Sequence, residues 1–148
     1  MDIILIKKFD ELTLNELYNI LKLRSEVFVV EQKCIYQDLD DVDKTSYHFF
    51  IKEENDRIIS YLRIFEKDGE TAQIGRVLTD EKERKKGYAF KLMEKGIEFC
   101  KNEMKKGKIY LEGQVYCHKF YLKLGFNIIS NEFLEDGIPH YKMLKILN

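Results

Sequence analysis

A chain of 148 residues, 45% hydrophobic and 34% charged with one proline, is long enough to bury roughly two-thirds of its unfolded surface and reads as one domain, residues 1–148. Lys+Arg 25 against Asp+Glu 26 leaves a net charge of −1, without the clustered basic excess of a nucleic-acid footprint. No apolar run approaches the roughly 20 residues of a membrane span; residues 1–10 lack the core of a signal peptide, and Cys34, Cys100 and Cys117, without metal-type spacing, fit reduced thiols in a cytoplasmic protein with no bound metal.

Ile3-Ile4-Leu5-Ile6 reads as a short strand. Thr13-Leu14-Asn15-Glu16 has the form of a capping box: the Thr13 hydroxyl accepts from the Glu16 N–H and the Glu16 carboxylate reaches back, so a helix starts at about Leu14. Leu14, Leu17, Leu21, Arg24 and Phe28 recur at steps of three and four and form its expected inner stripe. Arg24 in that stripe needs a partner, because a buried guanidinium is costly unpaired. Residues 31–43 are polar and carry Asp38, Asp40, Asp41 and Asp43, without the glycine and distal glutamate of an EF-hand loop. They are either a wall for a cationic substrate or a solvated loop. Residues 47–51 and 58–65 read as strands, turned by Glu54-Asn55-Asp56 into an antiparallel hairpin.

Residues 72–79 read as the central strand, where Gly75 marks a bulge or a close backbone approach. Arg84-Lys85-Lys86-Gly87-Tyr88-Ala89 follows, and then Leu92, Met93, Gly96, Cys100 and Met104 at helical spacing. The first turn of a helix has unpaired N–H donors and the positive end of the dipole, so this strand, basic turn and helix suit a phosphate. The stretch is neither a Walker loop nor a three-glycine dinucleotide fingerprint. Residues 108–112 read as a parallel strand reached by a helical crossover. Residues 117–124 form a short helix stopped by Gly125; residues 126–129 and 141–147 close the sheet, with residues 136–140 as a turn.

The spacing Arg84-x-x-Gly87-x-Ala89 resembles the acetyl-CoA signature of the GNAT superfamily of N-acetyltransferases, and Phe120-Tyr121-Leu122-Lys123-Leu124-Gly125-Phe126 resembles that family's Phe-Tyr-x-x-x-Gly-Phe segment. The stretches 24–32 and 36–38, His48, Gly75-Arg76-Val77 and Asp136-Gly137-Ile138-Pro139-His140 resemble its ElaA-like subgroup. The resemblance spans the chain. It implies an α/β (α+β) GNAT fold: a single mixed, mostly antiparallel central sheet of about seven strands flanked by helices, with acetyl-CoA at the splay between the central strand and the next parallel strand.

Carried over by position, the resemblance implies that Val77, Leu78 and Thr79 meet the pantetheine arm of acetyl-CoA or CoA. Arg84, Lys85, Lys86, Gly87, Tyr88, Ala89 and Phe90 then hold the pyrophosphate. Gln114 contacts the coenzyme where many members carry Asn, and Tyr121 sits near the sulfur as the acid for the departing thiolate. Arg24, Phe28, Glu31, Asp38 and His140 are expected around the acceptor. Gln73 stands where histone-acetylating members carry a glutamate base, which leaves Glu31, His48 and His140 as open candidates. Three functions stay open: an N-acetyltransferase acting on a small-molecule or peptide amine, an acyltransferase like the acyl-homoserine-lactone synthases, and a non-catalytic acetyl-CoA-binding module. No nucleic-acid or membrane partner is expected, and a homodimer is left open.

Overall fold

Alternating apolar residues from eight segments build a single sheet in the computed structural model, which describes residues 3–148; Met1 and Asp2 lie outside the described residues. In chain order the elements are β1 (Ile4–Lys8), α1 (Leu14–Arg24), β2 (Tyr47–Lys52), β3 (Ile58–Glu66), β4 (Thr71–Thr79), α2 (Tyr88–Asn102), β5 (Lys108–Gln114), α3 (His118–Lys123), β6 (Asn127–Ile128), β7 (Phe133–Glu135) and β8 (Ile138–Ile146). The strand order is β1-β2-β3-β4-β5-β8-β6, with β7 also on β8. Every pairing is antiparallel except β4 with β5, which α2 joins as a crossover. This is the α/β GNAT architecture that the resemblance implies.

Helices pack on both faces of the sheet, α2 and α3 on one and α1 on the other. Leu92, Met93 and Cys100 of α2 pack on Phe49, Leu62, Ile64 and Ile74. Ile20 and Leu23 of α1, with Val27 just beyond it, pack on Phe50, Tyr61 and Leu78 of the other face. The Thr13–Glu16 capping box starts α1 as expected, with bonds of 3.0 and 2.9 Å.

The inner stripe of α1 is rotated from the one its leucines suggest. Leu14 is 86% exposed, and the buried residues are Glu16, Ile20, Leu23, Arg24 and then Val27. Glu16 belongs to this seam because Lys7 and Lys52 each reach it at 2.8 Å. Burial opposes its charge, but the Lys52 and Lys7 bonds outweigh that and bring its pKa down to about 2.

Two further departures position the site. Beyond Arg24 the chain widens into a π-helical segment, Ser25–Glu31, a form rare outside functional regions. The expected turn at 136–140 is only Asp136-Gly137, with φ of +51° and +79°, as a primed two-residue hairpin turn requires. It joins β7 to β8, pairing Phe133 with His140 and Glu135 with Ile138.

Candidate active site

β4 and β5 run side by side for only three pairs, Thr71–Lys108, Ala72–Ile109 and Gln73–Tyr110, and then part. Opposite, β3 and β4 slip register between Tyr61 and Arg63, and Arg76 adopts φ +54°. The bulge therefore lies just beyond Gly75, which stays paired with Arg63: Arg76 and Val77 oppose Leu62 and bend β4 away from its neighbour. Between the parted strands runs a cleft of about 1150 Å³, lined on the β4 side by Val77, Leu78 and Thr79.

At one end the cleft meets the basic turn. Gly87 precedes α2 with φ +83°, no side chain caps the helix, and an added Cβ at Gly87 would meet nothing within 4 Å. Uncapped N–H donors at the start of a 15-residue helix, with open space above them, can hold a phosphate. Arg84, Lys85, Gly87 and Ala89 line the cleft here. Lys86, Tyr88 and Phe90, expected with them, do not: Lys86 pairs with Glu83 at 2.9 Å, and Phe90 stacks edge-on with Phe120. Glu31 also lines the cleft, but its carboxylate fills the Arg84 fork at 2.6 and 2.7 Å. That bond is the main reason its pKa falls below the usual carboxylate range, so Glu31 is poorly suited to be a base.

In the middle lies Tyr121. Its ring packs edge-on against Phe120 and Phe126, and Gly113 of β5 makes room for it, since an added Cβ there would stand 2.8 Å from the ring. The residue is 8% exposed and lines the cleft. Burial, with the neighbouring Cys117 thiol, pushes its pKa above the ordinary phenol value, so the hydroxyl stays protonated as a donor.

Three of the four loop aspartates are held by arginines, and Asp41 alone stays in solvent beside Lys44. Arg24, fully buried, donates to Asp38 Oδ2 at 3.0 Å and Asp43 Oδ1 at 2.7 Å. Arg63 holds Asp40 at 2.7 Å and Asp43 at 3.0 Å, and Arg76 takes the other Asp38 oxygen at 2.8 Å beside the Tyr36 hydroxyl at 2.6 Å. Burial works against these charges, but the guanidinium bonds win: Asp43 is lowered, and Asp40 falls to about 2. Arg24 and Asp38, expected at the acceptor, thus spend their polar atoms on each other and do not line the cleft.

His48 is also removed from the site. Its Nε2–H donates to the Asp43 carbonyl at 2.8 Å, which leaves Nδ1 to accept from the Tyr61 hydroxyl at 2.7 Å. Burial lowers its pKa and keeps it neutral.

The far wall holds Phe28, Gln114, Glu112, Glu135 and His140. Gln114 donates to Gln32 Oε1 at 3.4 Å. The Tyr110 hydroxyl donates to Glu112 at 2.6 Å, and His140 donates Nδ1–H to the Ile138 carbonyl at 2.7 Å. Glu112 and Glu135 were not among the expected site residues. The Asp-Gly pair at 136–137, a hairpin signal in its own right, would have placed Glu135 on this wall. Among the described residues no group of three His, Cys, Asp or Glu could hold a metal ion.

A sheet that splays beside an uncapped helix start, with a tyrosine at the fork, defines a protein of the acyl-CoA-dependent N-acyltransferase class. The acetyltransferase (GNAT) domain profile matches residues 11–147, and the chain belongs to that family. Within it the chain falls in the ElaA-like group. It is 38% identical to Escherichia coli ElaA over 138 residues, covering 91% of this chain and 90% of that one. A UPF0039 protein of Schizosaccharomyces pombe is 41% identical over 138 residues, 93% of this chain and 92% of its own. The crystal structure of Escherichia coli ElaA superposes with a TM-score of 0.90 at 36% identity, over 98% of this chain and 99% of that one. An acyl-CoA N-acyltransferase from Pseudomonas aeruginosa superposes with a TM-score of 0.89 at 34% identity, over 97% and 99%.

Proposed function

We propose that this chain transfers the acetyl group of acetyl-CoA to a primary amine of a small molecule or peptide, by direct attack within a ternary complex. The observation that carries this reading is continuity: one cleft runs from the Gly87 turn past Tyr121 to the Glu112 and His140 wall, so both substrates fit side by side. Acetyl-CoA supplies the activated thioester. The uncapped turn of α2, with Arg84 and Lys85, binds its pyrophosphate; Lys86, Tyr88 and Phe90 support that turn from behind. The β4 edge at Val77, Leu78 and Thr79 aligns the pantetheine arm, and Gln114 closes the β5 side. Holding both reactants in register contributes several kcal/mol by itself. Tyr121 donates its proton to the departing thiolate. Phe28 and His140 face the acceptor, and Glu31 must release Arg84 as the phosphates arrive.

The test is thiol release from acetyl-CoA with spermidine, benzylamine and a lysine-containing peptide as acceptors. Amine-dependent release establishes the transferase. Release only with long-chain acyl donors moves the chain to acyl-homoserine-lactone-type chemistry, and tight acetyl-CoA binding with no release makes it a binding module.

The coenzyme half has its own test. Gly87→Glu places a carboxylate where the phosphates sit and weakens CoA binding at least ten-fold, about 1.4 kcal/mol. Gly87→Asn, uncharged and tolerant of positive φ, loses less. Equal affinity of all three proteins by calorimetry removes the cradle.

A further inference from the structure

Two carboxyl groups on the far wall have no part in the scheme above. Glu112 on β5 and Glu135 on β7 share one face with His140 of β8, because Gln114 and Phe133 both pair with His140 and side chains alternate along each strand. All three line the cleft. Glu112 and Glu135 flank His140 on this face from the two strands beside β8, and His140 Nε2 lies 3.5 Å from Glu135 Oε2. A second observation points to a ligand on the same face. Arg63 Nε has no hydrogen-bond partner although its side chain is 5% exposed, and it stands 4.0 Å from where a Cβ on Gly75 would lie, with no other atom that close to that point. Both Arg63 and Gly75 line the cleft, so an oxygen or ring of an acceptor lying over Gly75 would give this donor its partner.

We propose, resting on the transferase reading above, that the acceptor is a primary ammonium whose proton is taken by the Glu112–Glu135 pair, with Glu135 as the group that changes charge and His140 as its positioning residue. An alkylammonium of pKa about 10.4 is neutral in roughly one molecule in a few thousand at pH 7, so it needs such a partner. The ammonium gives one proton to ionised Glu135. The freed lone pair forms the C–N bond at the thioester carbonyl as the C–S bond breaks. The second N–H proton leaves with sulfur as the thiol, through Tyr121. Glu135, 43% exposed, returns its proton to water. The net products are the amide, the thiol and one released proton.

The surroundings suit this exchange. Burial and then the shared bond with Glu112 raise Glu135 to about 7, with Asp136 adding to the rise and Arg76 opposing it. Burial opposes the charge on Glu112, but the bonds from Glu135 and Tyr110, with Lys142 and His140 nearby, keep it ionised. The pair therefore titrates at the working pH, as an efficient proton acceptor must.

The experiment measures kcat against pH for the acceptor that turns over fastest among spermidine, benzylamine and the lysine peptide, together with acetyl-CoA affinity by calorimetry. Wild type shows an acid limb near pH 7. Glu135→Gln lowers kcat about 10²-fold, abolishes the limb and leaves acetyl-CoA affinity unchanged. Glu112→Gln removes the neighbouring charge, so the limb moves to lower pH. A readout independent of turnover is stability. Native Glu135 keeps its proton up to about pH 7 while the unfolded chain loses it near the ordinary carboxyl value of 4.5, so this group destabilises the fold as pH rises through that window. Glu135→Gln therefore raises Tm relative to wild type at pH 8 and not at pH 4. A Glu135→Gln enzyme that keeps both rate and limb overturns the inference while the transferase stands. Loss of rate with the limb intact overturns it as well, reducing Glu135 to support. No turnover of any amine by wild type overturns both readings.

Discussion

Removing the Tyr121 hydroxyl, as Tyr121→Phe, lowers kcat about 10²-fold, or about 2.7 kcal/mol, and leaves acetyl-CoA affinity nearly unchanged. The ring is held by Phe120, by Phe126 and by the gap at Gly113, and phenylalanine keeps all three contacts. Only the oxygen at the cleft surface is lost, so the change tests a proton donor and not a packing element. The high pKa adds a sign to the prediction. Because burial holds the phenol protonated, wild-type kcat shows no basic limb from Tyr121 between pH 7 and 9. The rate is best read in single turnovers, where product release cannot mask the chemical step. A variant with the wild-type single-turnover rate returns Tyr121 to a purely structural role, and a variant that loses acetyl-CoA affinity instead makes it a binding group.

The coenzyme half of the site was legible because its parts are local. Arg84, Lys85, Gly87 and Ala89 lie within six positions, and a strand, a glycine and a helix start state their geometry in order. The central bulge lies one residue beyond the glycine that marks it, Gly75. The acceptor half is assembled from distant segments. Arg84 meets Glu31 across 53 positions, and Arg76 meets Asp38 across 38. No periodicity announces such pairs. The aspartates of 38–43 read as a loop that water or a substrate would charge-match, whereas three arginines from α1, β3 and β4 match Asp38, Asp40 and Asp43 internally and leave only Asp41 to solvent. The seam of α1 was misread for a related reason: Glu16 and Arg24 occupy core positions through ion pairs, and hydrophobic spacing is blind to them. Glu112 and Glu135 meet only through the β5–β8–β7 register, which the Asp136-Gly137 hairpin sets.

The largest stability effect belongs to Arg24. Arg24→Met keeps much of the volume and the aliphatic stem, but it strands Asp43 and Asp38 with fewer partners in a buried site. Breaking a buried ion pair from one side costs about 3–5 kcal/mol, because the remaining charge stays desolvated. For a domain of this size that lowers Tm by roughly 10–15 °C. Asp43→Asn in the Arg24→Met background relieves part of the stranded charge, so the double variant is more stable than Arg24→Met alone, and the cycle measures the coupling directly. The pH dependence follows from the depressed carboxylates. Their contribution is fully present above the unfolded value of 3.8 and is lost as pH falls through the folded value, about 2 for Asp40. In Arg24→Met, Asp43 keeps Arg63 but loses its 2.7 Å partner and protonates at higher pH than in wild type, so the gap between the two is widest near neutrality and closes below pH 4. The same loop carries Tyr36 and Asp40 into the cleft, and Arg63 joins it to β3. Loosening it therefore raises KM for the amine more than KM for acetyl-CoA. Urea midpoints at pH 7 and pH 3 decide the case: equal losses at both would show that Arg24 acts through packing alone, with no part played by the charges it holds.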